Sequence, residues 1–179
     1  MPTFKAVHLT TECTSFSRAN TGKGAVRNNE HICGFPWNCD RKREKAELGN
    51  RLLAISMQLV MFCLARSIAF TLENPATSMM WMHPLVRALF LEAVGSSPNK
   101  RVHLVRTCYC RWGRPFRTRT YILTNVAALT ALDRECTHKT HRMTLAGWGP
   151  SGEANTKKGN AYPMSLCRVW ASILDSQFG

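Results

Sequence analysis

The sequence predicts an α/β domain, a sheet with parallel neighbours flanked by helices. Two observations carry that prediction. Short apolar runs of strand length alternate with longer segments of helical period, in the order strand, helix, strand, helix, strand. The chain has 179 residues, 45% hydrophobic and 20% charged, which is the usual globular mix and room for one core. A disordered chain, a collagen-like repeat and a coiled coil fit that composition poorly, and no internal repeat or low-complexity tract is visible. Residues 1–179 are therefore read as a single domain.

Taken in order, Phe4 to Leu9 read as a short buried strand ending in the polar turn TTECTSFS. Residues 18–43 are rich in Asn, Gly, Lys and Arg, contain Pro36 and show no sustained period, so they read as a long loop. From Glu44 to Arg66 the spacing of Leu48, Leu52, Ile55, Leu59 and Phe62 predicts one buried helix face, widened by Leu53, Met57, Val60 and Leu64. A second buried strand, Ile68 to Leu72, runs into Glu73, Asn74 and Pro75, and the proline bars continuation inside a sheet. His83-Pro84 opens a helix through Glu92 that Gly95 closes. Val102 to Val105 and Thr120 to Leu123 predict two more strands around the basic segment RWGRPFRTR. A polar linker, 147–160, precedes a C-terminal helix, 161–175, marked by Leu166, Val169, Trp170 and Ile173.

Charge and cysteine usage narrow the function class. Lys and Arg number 24 against 11 acidic residues, a formal net charge of +13, which favours a polyanionic partner over a merely solvated basic surface. Eight cysteines suit a disulfide framework only in a secreted chain, and the N-terminus MPTFKAVHLTTEC has no apolar h-region. An intracellular, reduced setting is expected, with the thiols available for catalysis or metal binding. The apolar stretch Leu52 to Ala65, bounded by Arg51 and Arg66, is too short to span a bilayer, so no membrane partner is expected.

In a parallel sheet the carboxyl ends of the strands form the ligand crevice. Two strands end there in reactive groups, the first in Glu12-Cys13 and the second in Glu73-Asn74. Their flanks sharpen the reading. The run Glu12-Cys13-Thr14-Ser15-Phe16-Ser17 resembles the Pro-Cys-x-x-Phe-Ser motif of the cytosine-5 DNA methyltransferases, and Leu72-Glu73-Asn74-Pro75 resembles that family's Glu-Asn-Val strand end. Arg117-Thr118-Arg119, followed by Tyr121-Ile122-Leu123, is similar to its Gln-x-Arg-x-Arg motif and following strand. Gly159-Asn160-Ala161-Tyr162-Pro163 is similar to the Gly-Asn-Ser/Ala-Val-x-Pro segment that opens its last helix, with one residue fewer. The matches fall in the family's order, over Phe4 to Leu174. LENPATSMMWMHP and RWGRPFRTRTYILTN resemble divergent members from mobile elements and viruses.

The resemblance implies a partial Rossmann-like methyltransferase sheet and a DNA partner. It implies that Cys13 adds as thiolate to carbon 6 of a flipped cytosine, that Glu73 holds the base edge, and that carbon 5 takes a methyl group from S-adenosylmethionine. Arg117 and Arg119 are then expected to orient the base or phosphates, with Asn74, Asn160 and Pro163 toward the cofactor and Ser15, Arg18 and Arg114 toward DNA. The departures predict loss of activity. Glu12 replaces the motif proline and would raise the Cys13 pKa, Pro115 replaces the glutamine, and Pro75 replaces the valine. The family's cofactor half precedes the Pro-Cys motif, whereas residues 1–12 alone precede Cys13 here, so an incomplete cofactor site is expected.

Other patterns carry less. Cys136-x-His138-x-x-His141, with Cys108 or Cys110, offers four tetrahedral zinc ligands as an alternative to a metal-free chain. Cys33-x5-Cys39 has no ligand spacing of note, and Thr21-Gly-Lys-Gly24 lacks the P-loop spacing. Arg41-Lys42-Arg43 and the cluster Arg111, Arg114, Arg117 and Arg119, interleaved with Trp112 and Phe116, form a polyanion footprint. The expected function is thus that of a methyltransferase-like fragment, inactive alone; the alternative is a non-catalytic basic module that binds nucleic acid or a partner.

Overall fold

The computed structural model describes residues 4–20, 22–145, 147 and 155–179. Residues 148–154 of the predicted polar linker, half of it, lie outside the described residues. The fold is mixed α/β. One four-stranded sheet is built from β1 (Ala6–Thr10), β2 (Ala69–Pro75), β3 (His103–Cys108) and β4 (Arg119–Thr124), in the order β1-β2-β4-β3. The long helices are α1 (Asp40–Ala65), α2 (Pro84–Val94) and α3 (Met164–Phe178).

The strands are not all parallel. β1 and β2 run parallel, joined by the crossover that contains α1, but β4 is antiparallel to both β2 and β3. The reason lies in the connection. Residues 109–118 join β3 to β4 with one 3-10 turn, Tyr109–Trp112, and no helix long enough to carry the chain back across the sheet, so β4 returns alongside its predecessor. β1, predicted buried, is an edge strand that pairs with β2 alone; Val7 and Leu9 are half-buried and the other residues exposed. β2 is buried along all of its length but the last residue, and it continues through Glu73 and Asn74 to Pro75. Both polar residues thus sit in the sheet itself rather than in the turn beyond it.

Alternation along the strands feeds two cores, one on each face. Phe70, Leu72, Leu104 and Leu123 pack under α1 and α2 with Leu53, Val60, Val86 and Leu89. Ala69, Val105 and Ile122 face the other way, toward Leu129, Leu132, Leu166 and Trp170. Trp112 and Phe116 belong to this second core, and the Trp112 indole donates to Thr107 Oγ1 at 2.7 Å. Neither aromatic is open to stack on a base.

α1 begins at Asp40, inside the predicted loop, and of the wide apolar face its spacing predicts it buries Leu53, Met57 and Val60 but not the stripe of Leu48, Leu52, Ile55, Leu59 and Phe62, so burial is confined to one side. Ala46, Gly49, Leu53, Met57, Val60 and Cys63 face inward, whereas Leu48, Ile55 and Phe62 are about half exposed. Close approach explains the choice. A Cβ on Gly49 would lie 2.1 Å from Ser15 Oγ, so only the small-residue stripe lets α1 seat on the loop after β1. Among the described residues α1 is the one helix long and apolar enough, by length and composition, to cross a bilayer; it packs on β2 and α2.

The loop before α1, residues 18–39, carries no strand and is organised around Arg27. Its side chain is buried, stacks on Phe16 at 4.0 Å, and donates to the Ile32 and Ala46 carbonyls and to Asn50 Oδ1 at 2.7–2.8 Å. Desolvation brings its pKa down to about 10.

Candidate active site

The parallel pair β1 and β2 ends at one edge of the sheet, with Thr10 opposite Glu73. Beyond Thr10 the chain turns over that edge. Glu12 holds the turn by accepting the amide of Thr14 and the amide and hydroxyl of Ser15, and Met79 N–H donates to the Phe16 carbonyl at 2.9 Å, tying this loop to the one after β2. A cleft of ≈ 440 Å³ opens there, and its walls include Glu12, Cys13, Glu73, Asn74, Thr118 and Tyr162. Two strand ends that the sequence separates by sixty residues thus face one space.

Glu73 is the central group. It is 9% exposed; Thr120 Oγ1 donates to one carboxylate oxygen and the Tyr162 hydroxyl to the other at 2.9 Å. Burial raises its pKa above the ordinary carboxyl value, against the pull of those two hydrogen bonds. Burial, then the Glu73 charge, raises the phenols of Tyr109 and Tyr162, which stay neutral. Tyr162 also approaches His8 Nε2 at 3.4 Å, and His8 Nδ1 contacts Thr71 Oγ1 at 2.7 Å, extending the network under the sheet edge.

Asn74 donates to the Thr11 carbonyl at 2.8 Å. Its Oδ1 is buried without a hydrogen-bond partner among the described residues, as is Oγ1 of Thr118, also in the cleft lining. Buried polar atoms seldom go unpaired, so these two stand out in the cleft lining. Cys13 lies exposed at the rim, and its thiol is pushed up by partial burial first, then by the Glu12 and Glu73 charges. It is therefore held as the neutral thiol, the weaker nucleophile.

The structure brings Cys13, Glu73, Asn74 and Asn160 to the cleft but not the predicted arginines. Arg117 and Arg119 are exposed and outside its lining, because side chains alternate across a strand and Thr118 and Thr120 take the inward positions. Arg114 is a clamp on the backbone: its guanidinium donates to the Ala161 and Tyr162 carbonyls at 3.3 and 3.4 Å, which seats Tyr162 over Glu73. Ser15 is buried beneath α1 and bonded to Glu12 and Arg27, so it cannot touch DNA. Arg18 is exposed and donates to Asn29 at 3.3 Å. Pro163 is buried as the residue that precedes α3, away from the cleft lining. Tyr162, Thr118 and Thr120 are the residues that motif reading passed over, and the period of two around Arg117 and Arg119 is the signal that locates the threonines.

The groups present do not fit S-adenosylmethionine. Of the two carboxylates in the cleft, Glu12 is bonded within its own turn and Glu73 is the group expected to meet the base, so no further carboxylate is left for a ribose, and Pro163 does not reach the space. The alternative metal ligands do assemble, outside this cleft: donor atoms of Cys110, Cys136, His138 and His141 lie within 4.8 Å of one another. Compared with known proteins, the chain matches no family model, no curated protein and no solved structure.

Proposed function

We propose that this chain is a DNA-binding, cytosine-5 methyltransferase-like domain that receives one extruded nucleobase in the cleft at Glu73 and Asn74 and does not transfer methyl groups by itself. The observation that carries the reading is the pair of unpartnered buried acceptors and donors, Asn74 Oδ1 and Thr118 Oγ1, in the same cleft as a buried Glu73 and the Cys13 rim. A planar ring with donors and acceptors on its edge satisfies such a set; an apolar ligand does not. An antiparallel last strand seated between the two before it is also the closing arrangement of the Rossmann-like methyltransferase sheet that the resemblance implies, and it supports that assignment of the fold.

The reading as a binding domain rather than a complete enzyme rests on two features. Cys13 is held protonated, and a methyl donor must be positioned against the base for transfer to compete with water, for which the cleft offers no free carboxylate. DNA affinity has its own support in charge. Among the described residues two ion pairs form, Arg43–Asp40 and Arg101–Glu92, so most of the cationic excess is left for an external polyanion.

Two measurements test this. Purified protein incubated with labelled S-adenosylmethionine and mixed-sequence DNA is expected to transfer no methyl groups; transfer that disappears on Cys13→Ala would show a working enzyme. A duplex with cytosine opposite an abasic site, which costs less to open, is expected to bind more tightly than the matched duplex. Glu73→Ala should abolish that preference and leave the affinity for matched duplex unchanged. Equal affinity for both duplexes in the unmodified protein would remove the base from the cleft.

A further inference from the structure

We propose that Cys110, Cys136, His138 and His141 form a structural zinc site that clamps the segment 134–143 onto the turn after β3. The proposal stands apart from the methyltransferase reading and needs none of it.

The geometry matches the ion. At bond lengths of about 2.0–2.3 Å, the donor atoms around a tetrahedral zinc stand roughly 3.3–3.8 Å from one another. Cys136 Sγ lies 3.3 Å from His141 Nε2 and 3.7 Å from His138 Nδ1, and all four donors fall within 4.8 Å. Two thiolates and two neutral imidazoles offset the charge of a divalent cation, and four protein ligands leave no open position, the composition of a structural rather than a catalytic zinc. The rings of His138 and His141 meet edge to face, 5.5 Å between centroids.

The second observation is what the segment lacks. Between Arg134 and Met143 no residue is buried, and Glu135-Cys136-Thr137-His138-Lys139-Thr140-His141-Arg142 has no aliphatic or aromatic anchor. Hydrophobic burial therefore does not hold it. Its ends are pinned to the other strand of the clamp: Arg134 bridges Thr107 and lies over Trp112 at 4.2 Å, and Met143 bridges Phe116. Ordering the polar residues between costs conformational entropy with little contact to offset it, and a four-ligand ion supplies that offset. Cys108, fully buried with its Sγ 3.3 Å from that of Cys110, stands behind the site as a neighbour of the ligand.

The position also bears on the cleft. Cys110 follows Tyr109, a cleft residue whose N–H donates to the Thr118 carbonyl at 2.9 Å, so an ion at Cys110 braces that wall from outside.

The test is metal analysis of the full chain expressed with zinc and passed through a weak chelator. About one zinc per chain is expected, with cobalt substitution giving the absorption of a tetrahedral two-thiolate centre. Cys136→Ser should lower the zinc content about tenfold, whereas Cys39→Ser, at an exposed cysteine outside the cluster, should not. If Cys136→Ser fails to fold, His141→Cys decides: it should keep zinc and strengthen the thiolate-to-cobalt band, and an unchanged band overturns His141 as a ligand. A metal-free chain with every thiol titratable, a Cys110–Cys136 disulfide, or full zinc content in folded Cys136→Ser overturns the proposal.

Discussion

Glu73 shows what burying one carboxyl does to the molecule. Burial raises its pKa in the folded chain, so between the ordinary carboxyl value and the raised one the folded state binds more protons than the unfolded state. Stability therefore falls as pH rises through that window, and the loss persists above it. Glu73→Gln removes the charge while its amide oxygen still accepts a hydrogen bond. The variant is expected to melt at a higher temperature than the unmodified protein at neutral pH, with the advantage fading below the ordinary carboxyl range. A gain of the same size at every pH, or a loss at neutral pH, would show that ionisation of Glu73 is not what destabilises the site. Glu12, in the same cleft, has a different role: its carboxylate accepts from the backbone of its own turn, and its charge adds to burial in raising the Cys13 thiol.

At the scale of the elements, α1 carries the sharpest contrast between pattern and packing. Two apolar stripes run along it, and the one with the larger leucines faces outward. Leu53, fully buried between α1 and the sheet, should cost about 2–5 kcal/mol when cut to alanine. Leu59→Ala, at a position 42% exposed, should change stability by no more than about 0.5 kcal/mol. Denaturant melts of the two variants check the assignment, and comparable losses would place Leu59 against a partner surface in solution. Periodicity predicted the helix well because a 3.6-residue repeat is local. It could not choose between two stripes, because that choice was made by Gly49, whose missing side chain lets the helix touch Ser15.

For the whole molecule the dominant quantity is charge, +13 over 179 residues with two ion pairs among the described residues. Binding to duplex DNA should weaken steeply with salt, by about 0.9 in the logarithmic slope for each phosphate neutralised, and with little dependence on sequence. Replacing Arg117 and Arg119 together by alanine should reduce that slope by about 2, because both side chains lie on the exposed face. Titrations across a salt series decide it, and a slope unchanged in the double variant would move the DNA footprint elsewhere. By itself the sequence determined the α/β class, the order of its strands and helices, the cationic excess, and Cys13 and Glu73 as reactive residues toward the carboxyl ends of two strands, since these depend on local period, composition and neighbours along the chain; that Glu73 lies inside β2 rather than beyond it came from the structure. Tertiary structure alone decided the rest: that β4 runs against β2 and β3, that Thr118 and Thr120 rather than Arg117 and Arg119 face the cleft, that Arg114 clamps the Tyr162 backbone, and that Cys110 rather than Cys108 joins Cys136, His138 and His141. Those depend on register and on contacts between residues far apart in the chain, where a shift of one position in a strand exchanges the inward side chain for the outward one.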